Sequence, residues 1–205
     1  MSDLEAKPLI DKEPVLKLIS ALIDDEDLLE VERIKDKAAR LREDRDWPSN
    51  EFDDLVEYTQ LPRSLVAHNM VRGADMVASR WMRERPQTKE QIDDFYRHCS
   101  EYVYLVANHA MMLGTYRKLL RVFKHESGGQ CLNFGGGVGA EALKLAMQGN
   151  EVWFCDVPDS PVWKFAKWRA EKAQAAIHFV ADVPAEQPFD FSSRSMFFRF
   201  SRPSN

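Results

Sequence analysis

Cysteine is scarce in this 205-residue chain. Cys99, Cys131 and Cys155 are an odd number at wide spacing. They make no disulfide framework and fit a reducing compartment, so a cytoplasmic location is expected. No CxxC pair or CxxxCxxC run occurs, which removes zinc ribbons and cluster sites, and no metal is expected. No run of 18 apolar residues exists, and residues 1–8 hold no apolar signal core, so a membrane partner is not expected. A basic excess is also missing: 28 Lys+Arg stand against 33 Asp+Glu, a net charge of −5, which argues against a general nucleic-acid binder. What is present is a core. With 44% hydrophobic and 11% aromatic residues, wholesale disorder is excluded. The charge is uneven, with 18 acidic and 9 basic residues in 1–60 (net −9) and 15 against 19 in 61–205 (net +4).

Residues 1–126 read as a helical N-terminal domain. Val15, Leu18, Ile19 and Leu22 recur at helical spacing, and Asp24 to Asp46 reads as a charged, solvated helix. A break at Trp47-Pro48 follows, with Ser49 or Asn50 as the next N-cap. Val66, Met70, Ala74, Val77 and Trp81 form an apolar stripe. Thr88 and Gln91 then have capping-box spacing. One long helical pattern carries Ile92, Phe95, Cys99, Tyr102 and Val106 and continues through Leu113, Tyr116, Leu120 and Phe123. The expected product is a small bundle.

The pattern changes at Ser127-Gly128-Gly129, and residues 127–205 read as a separate unit. A strand at Gln130–Phe134, a helix at Ala140–Met147, a strand at Glu151–Cys155, a helix opened by Ser160-Pro161 and a strand at Ile177–Ala181 follow in order. This β-α-β-α-β order predicts an α/β fold, a partial parallel sheet with helical crossovers. The Asn133-Phe134-Gly135-Gly136-Gly137-Val138-Gly139 run ends the first strand and opens a helix. Glycines there permit positive φ and close approach of a ligand to the backbone, beside the free N–H groups of the helix start. Asp156 ends the second strand, where a carboxylate can accept hydrogen bonds from both hydroxyls of a ribose. Asp182 ends the third. Gly135-x-Gly137-x-x-Ala140 also satisfies the looser dinucleotide fingerprint, so a nicotinamide enzyme stays open.

In these motifs residues 131–191 resemble the class I S-adenosylmethionine-dependent methyltransferases, which have a Rossmann-like fold. The resemblance rests on Asn133 with Gly135, Gly137 and Gly139, on Asp156, on Asp182, and on Pro188-Phe189-Asp190-Phe191 leading into a fourth strand. It implies S-adenosylmethionine as cofactor. Gly135, Gly136, Gly137 and Gly139 would then cradle it, Asn133 would orient the loop, Asp156 would hold its ribose and Asp182 would meet its adenine end, with Val157 beside Asp156 also among the cofactor-binding residues. The family usually carries an acid where this chain has Asn133, so the charge that would attract an ammonium is missing there.

Methyl transfer from a sulfonium asks the protein mainly to align nucleophile and methyl and to exclude water. No catalytic residue is therefore announced. His98, Tyr102 and His109 are candidates for an acceptor pocket, with His as a base. Tyr116-Arg117 could meet the cofactor's carboxylate, and Trp163 and Trp168 are expected to pack helix on sheet. The methyl acceptor, a small molecule or otherwise, is not legible. Only 72 residues follow Asn133, too few for a seven-stranded core. Residues 192–205, with five Ser, three Arg and three Phe, show no strand pattern and read as foreign to the fold. An oligomer or partner chain completing the sheet, or a non-catalytic remnant acting as an interaction module, would follow from that.

Overall fold

A computed structural model describes residues 25–43, 50–112 and 128–194. The Asp24–Asp46 stretch yields helix α1 (Asp25–Arg42), but it is not simply solvated. Val31, Ile34, Ala38 and Leu41, spaced three and four apart, are buried in the core beneath its charged face. Asn50 caps α2 (Glu51–Thr59), accepting from the Asp53 N–H at 2.9 Å. Ser49 and the Val15–Leu22 pattern lie outside the described residues.

Helix α3 (Arg63–Glu84) carries the apolar stripe with one correction. Ala74 is exposed and Gly73 takes its place on the buried face. A Cβ on Gly73 would stand 2.8 Å from the Leu105 backbone N, so only glycine lets α3 and the Leu105 backbone approach this closely. The Thr88–Gln91 capping box opens α4 (Lys89–His98). The expected continuous helix from Ile92 breaks at Cys99–Glu101, and α5 (Tyr102–Met112) starts anew. Arg80 fixes the break by donating to the His98 carbonyl at 2.9 Å and pairing with Glu101 at 3.1 Å. Leu113, Tyr116, Arg117, Leu120 and Phe123 lie outside the described residues.

The second unit is β1 (Gln130–Phe134), α6 (Ala140–Met147), β2 (Glu151–Cys155), α7 (Pro161–Lys172), β3 (Ile177–Val180) and β4 (Phe191–Arg194). All pairings are parallel, in the order β3-β2-β1-β4. The fold is α/β with a partial parallel sheet. The fourth strand corrects the reading of the tail for residues 192–194, since Phe191–Arg194 pairs with Cys131–Phe134, while residues 195–205 lie outside the described residues. Asp190 sets that register: its carboxylate accepts from the Gln130 N–H and its own N–H donates to the Gln130 carbonyl, both at 2.9 Å.

One sheet face packs Cys131, Val152 and Phe154 against Ala142, Leu145 and Ala166 of α6 and α7. Trp163 joins it beside Phe154 and Phe179 as expected. Trp168 does not: it packs on Tyr58 of α2 and stacks on Phe165. Val138, Val162 and Phe165 share one hydrophobic cluster with the helices of residues 31–111. The helical segment and the sheet unit are thus built over common core residues. Among the described residues, no helix is long and apolar enough to cross a membrane.

Candidate functional site

The reversal of strand order falls between β1 and β4, because β1 leads through α6 to β2 on one side while β4 lies on the other. In open parallel sheets, ligands are bound in the crevice beyond the carboxyl ends of the strands at such a reversal. The loop after β1 is the glycine run. Gly135, Gly137 and Gly139 have φ of 63°, 54° and 72°, which L side chains seldom adopt. The loop is tied at both ends. The Gly135 N–H donates to the Cys155 carbonyl at 2.7 Å, and the Gly139 N–H to the Gly136 carbonyl at 2.9 Å.

The glycines are also required by the protein's own packing. A Cβ on Gly136 would collide with Asn133 Oδ1 and the Phe154 ring. One on Gly137 would lie 2.7 Å from Val106 Cγ1 of α5, and one on Gly139 3.0 Å from Ala166 Cβ of α7. The loop is wedged between the two helices.

Asp156 closes the constellation. Its Oδ2 accepts from the Gly137 N–H at 2.8 Å and its Oδ1 from the Val157 N–H at 2.7 Å. Burial raises its pKa, and the two backbone bonds work against that rise. A carboxylate oxygen has two lone-pair directions, so each retains capacity for a ligand hydroxyl. Asp182 is exposed just beyond β3. The neighbouring Ala181 carbonyl accepts weakly from Cys155 Sγ at 3.6 Å. Burial, and then the charges of Asp156 and Asp182, push the Cys155 thiol up to about 11, so it is protonated and no nucleophile.

Asn133 lies under the loop, 0% exposed. Its Nδ2 donates to Glu141 Oε2 at 2.7 Å. Although residue 133 is neutral, a buried carboxylate therefore stands beneath the glycine run, in the first turn of α6.

Of the acceptor-pocket candidates, His98 is not at the site. It is exposed at the end of α4, where it contacts the Asp94 carbonyl and carboxylate. Tyr102 is buried on α5, one turn before Val106, near enough to Asp156 for that charge to raise its pKa further after burial and Tyr96. His109 shares this helix face, and burial lowers its pKa, which favours the neutral imidazole. Among the described residues, no group of three or more His, Cys, Asp or Glu could hold a metal ion.

Arg169 is a residue the sequence reading missed. It is 2% exposed, donates Nη1 to the Val138 carbonyl at 2.8 Å and Nε to Asp54 Oδ2 at 2.7 Å, and lies 3.5 Å from Glu51 Oε1. Lys172 bonds the other Asp54 oxygen at 3.0 Å. The signal was present: Arg169 continues the apolar stripe of Val162, Phe165 and Ala166, and an arginine on a buried face must find partners. No family model matches the chain, and no curated protein matches it.

Proposed function

We propose that the glycine loop and Asp156 form a site for S-adenosylmethionine and that the chain is a methyltransferase. The observation that carries this reading is the bond from the Gly137 N–H to Asp156, which joins loop and strand-two acid into one unit at the carboxyl edge of the sheet. The donor set fits the group. Asp156 offers acceptor directions to a ribose diol, and the buried Glu141 supplies a negative charge under the loop where the Asn133 amide cannot. Gly135, Gly136, Gly137 and Gly139 would carry the backbone past the ligand, with Val157 and Asp182 flanking its adenine end. When bound, the sulfonium supplies an activated methyl carbon. The protein's share is to orient that carbon and to exclude water, and His109 is the candidate base on the α5 face for an acceptor that must lose a proton. Cys99, Cys131 and Cys155 are buried and none is in a disulfide, which suits a cytoplasmic setting.

Titration calorimetry of the full chain with S-adenosylmethionine and S-adenosylhomocysteine tests this. Binding of both is expected. Asp156→Asn should weaken it roughly 10- to 100-fold, since hydrogen bonds to a charged group contribute about 1.5–3 kcal/mol each. Absence of heat with either compound overturns the reading. Enhanced NADH fluorescence on mixing would transfer the site to a dinucleotide.

A further inference from the structure

We propose that Arg169 is a positioning residue for the donor site: it orients the Val138–Gly139 peptide of the glycine loop, and Asp54 and Glu51 of α2 orient it in turn, so that the helical segment sets the geometry of the loop. The inference rests on the methyl-donor reading for the ligand's identity and adds to it a helix outside the sheet unit. Arg169 of α7 is 2% exposed and donates Nη1 to the Val138 carbonyl at 2.8 Å. The other end of the same peptide is also tied, since the Gly139 N–H donates to the Gly136 carbonyl at 2.9 Å. A peptide unit is planar, so bonds at its carbonyl and at its N–H together fix its rotation. This peptide leads into Ala140, the first residue of α6. Its rotation therefore sets where the N–H groups of the α6 N-terminus point.

The guanidinium is itself set from α2. Its Nε donates to Asp54 Oδ2 at 2.7 Å and its Nη2 lies 3.5 Å from Glu51 Oε1, and both acids are buried. Its three nitrogens thus face three acceptors, two on α2 and one in the loop. The fork is rigid and planar, so these contacts cannot adjust independently, and a shift of α2 is passed to the Val138 carbonyl. Packing alone does not ask for this residue. Arg169 lies on the α7 face of Val162, Phe165 and Ala166, and apolar groups in place of buried ion pairs often lose no stability. An apolar side chain would fill the space and leave the buried loop carbonyl without this donor.

Calorimetry of the full chain with S-adenosylhomocysteine tests this on wild type, Arg169→Met and Arg169→Lys, under conditions where urea unfolding shows each to be folded. A residue that only holds the fold together changes the unfolding midpoint and leaves the affinity of the folded chain where it was. A positioning residue changes that affinity. Arg169→Met should weaken binding roughly 10-fold, within what one hydrogen bond from a charged donor supports. Arg169→Lys keeps a cation for Asp54 and loses the fork, so it should unfold at higher urea than the methionine variant and still bind more weakly than wild type. It carries the test if Arg169→Met does not fold. Phe165→Leu thins the same helix face without removing a donor and should bind as wild type does. Wild-type affinity in either folded Arg169 variant, or an equal loss in Phe165→Leu, overturns the inference and leaves the methyl-donor reading standing. A wild-type chain that does not bind S-adenosylhomocysteine overturns both.

Discussion

On one side of the glycine loop, Arg169 spends its guanidinium on Asp54, on Glu51 and on the Val138 carbonyl. On the other, Tyr102 of α5 packs its ring on Tyr96, one helical turn before the Val106 side chain that lies against the loop. Both residues are largely buried, and both sit where the helical segment meets the sheet unit. The difference lies in charge. A buried guanidinium must be met by acceptors that the fold supplies, so Arg169 is there to hold the fold. A phenol ring is held by packing and asks for no counter-charge. The contrast separates the charged joint that fixes the loop from the packed joint of α5, and three of the four predictions press on one of the two.

The largest effect is expected at the saturated joint. Arg169→Met takes the guanidinium away from the buried Asp54 and Glu51 carboxylates. Breaking a buried pair from one side costs about 3–5 kcal/mol, because the remaining charge stays out of water. Urea unfolding should show that loss. Arg169→Met combined with Asp54→Leu should recover part of it, since Asp54 then has no charge to compensate while Glu51 keeps its own. A loss under about 1 kcal/mol for the single change would mean that Arg169 is dispensable and would dissolve the contrast.

The same joint shows what could be read from the sequence and what could not. Strands Gln130–Phe134 and Glu151–Cys155 were legible to the residue, because short apolar runs end on glycine or Asp and leave little room for another register. The strand Phe191–Arg194 was not, since its Ser and Arg residues carry no strand pattern; Asp190 clamps it to Gln130 from outside the strand. The break before α5 was hidden because the apolar spacing runs on unbroken through Cys99, Tyr102 and Val106. Arg80, nearly twenty residues upstream, decides it. The glycine run was legible as a site but for an incomplete reason. Gly136, Gly137 and Gly139 are demanded by Asn133, Val106 and Ala166 as much as by any ligand. Pattern reports that a side chain is forbidden, and only packing reports what forbids it.

A smaller effect is expected where α5 meets the loop. Gly137→Ala adds a Cβ at 2.7 Å from Val106 Cγ1 and places alanine at φ 54°. Overpacking and left-handed backbone strain each contribute about 1–2 kcal/mol. Adding Val106→Ala should return the packing part and leave the backbone part, which a double-mutant cycle on unfolding free energy separates. Full additivity would show that α5 does not press on the loop.

Acid offers a milder test, remote from both joints. Burial would raise the pKa of Asp53, but hydrogen bonds from Arg42, Asn50 and Arg63 overcome it and hold the carboxyl at about 2, below its ordinary 3.8. A depressed folded-state pKa adds stability above the unfolded value, and that stability is lost as pH falls from about 4 towards 2. With a quarter of the side chain exposed, the contribution is on the order of 1 kcal/mol after solvent screening. Asp53→Asn should flatten this acid limb in pH-dependent thermal melts while leaving methyl-donor binding at pH 7 unchanged. Altered binding would show that the α1–α2 junction reaches the loop through Asp54.

The smallest effect is the most discriminating. If the Tyr102 hydroxyl bonds no protein group, Tyr102→Phe should shift unliganded stability by less than about 0.5 kcal/mol, because the removed oxygen forfeits no hydrogen bond and leaves no orphaned partner. A side chain with a structural hydrogen bond would lose about 1 kcal/mol or more on the same change. An unchanged Tm would show a ring held by packing alone. A lowered Tm would return Tyr102 to the class of Arg169, as a residue whose partner lies within the fold.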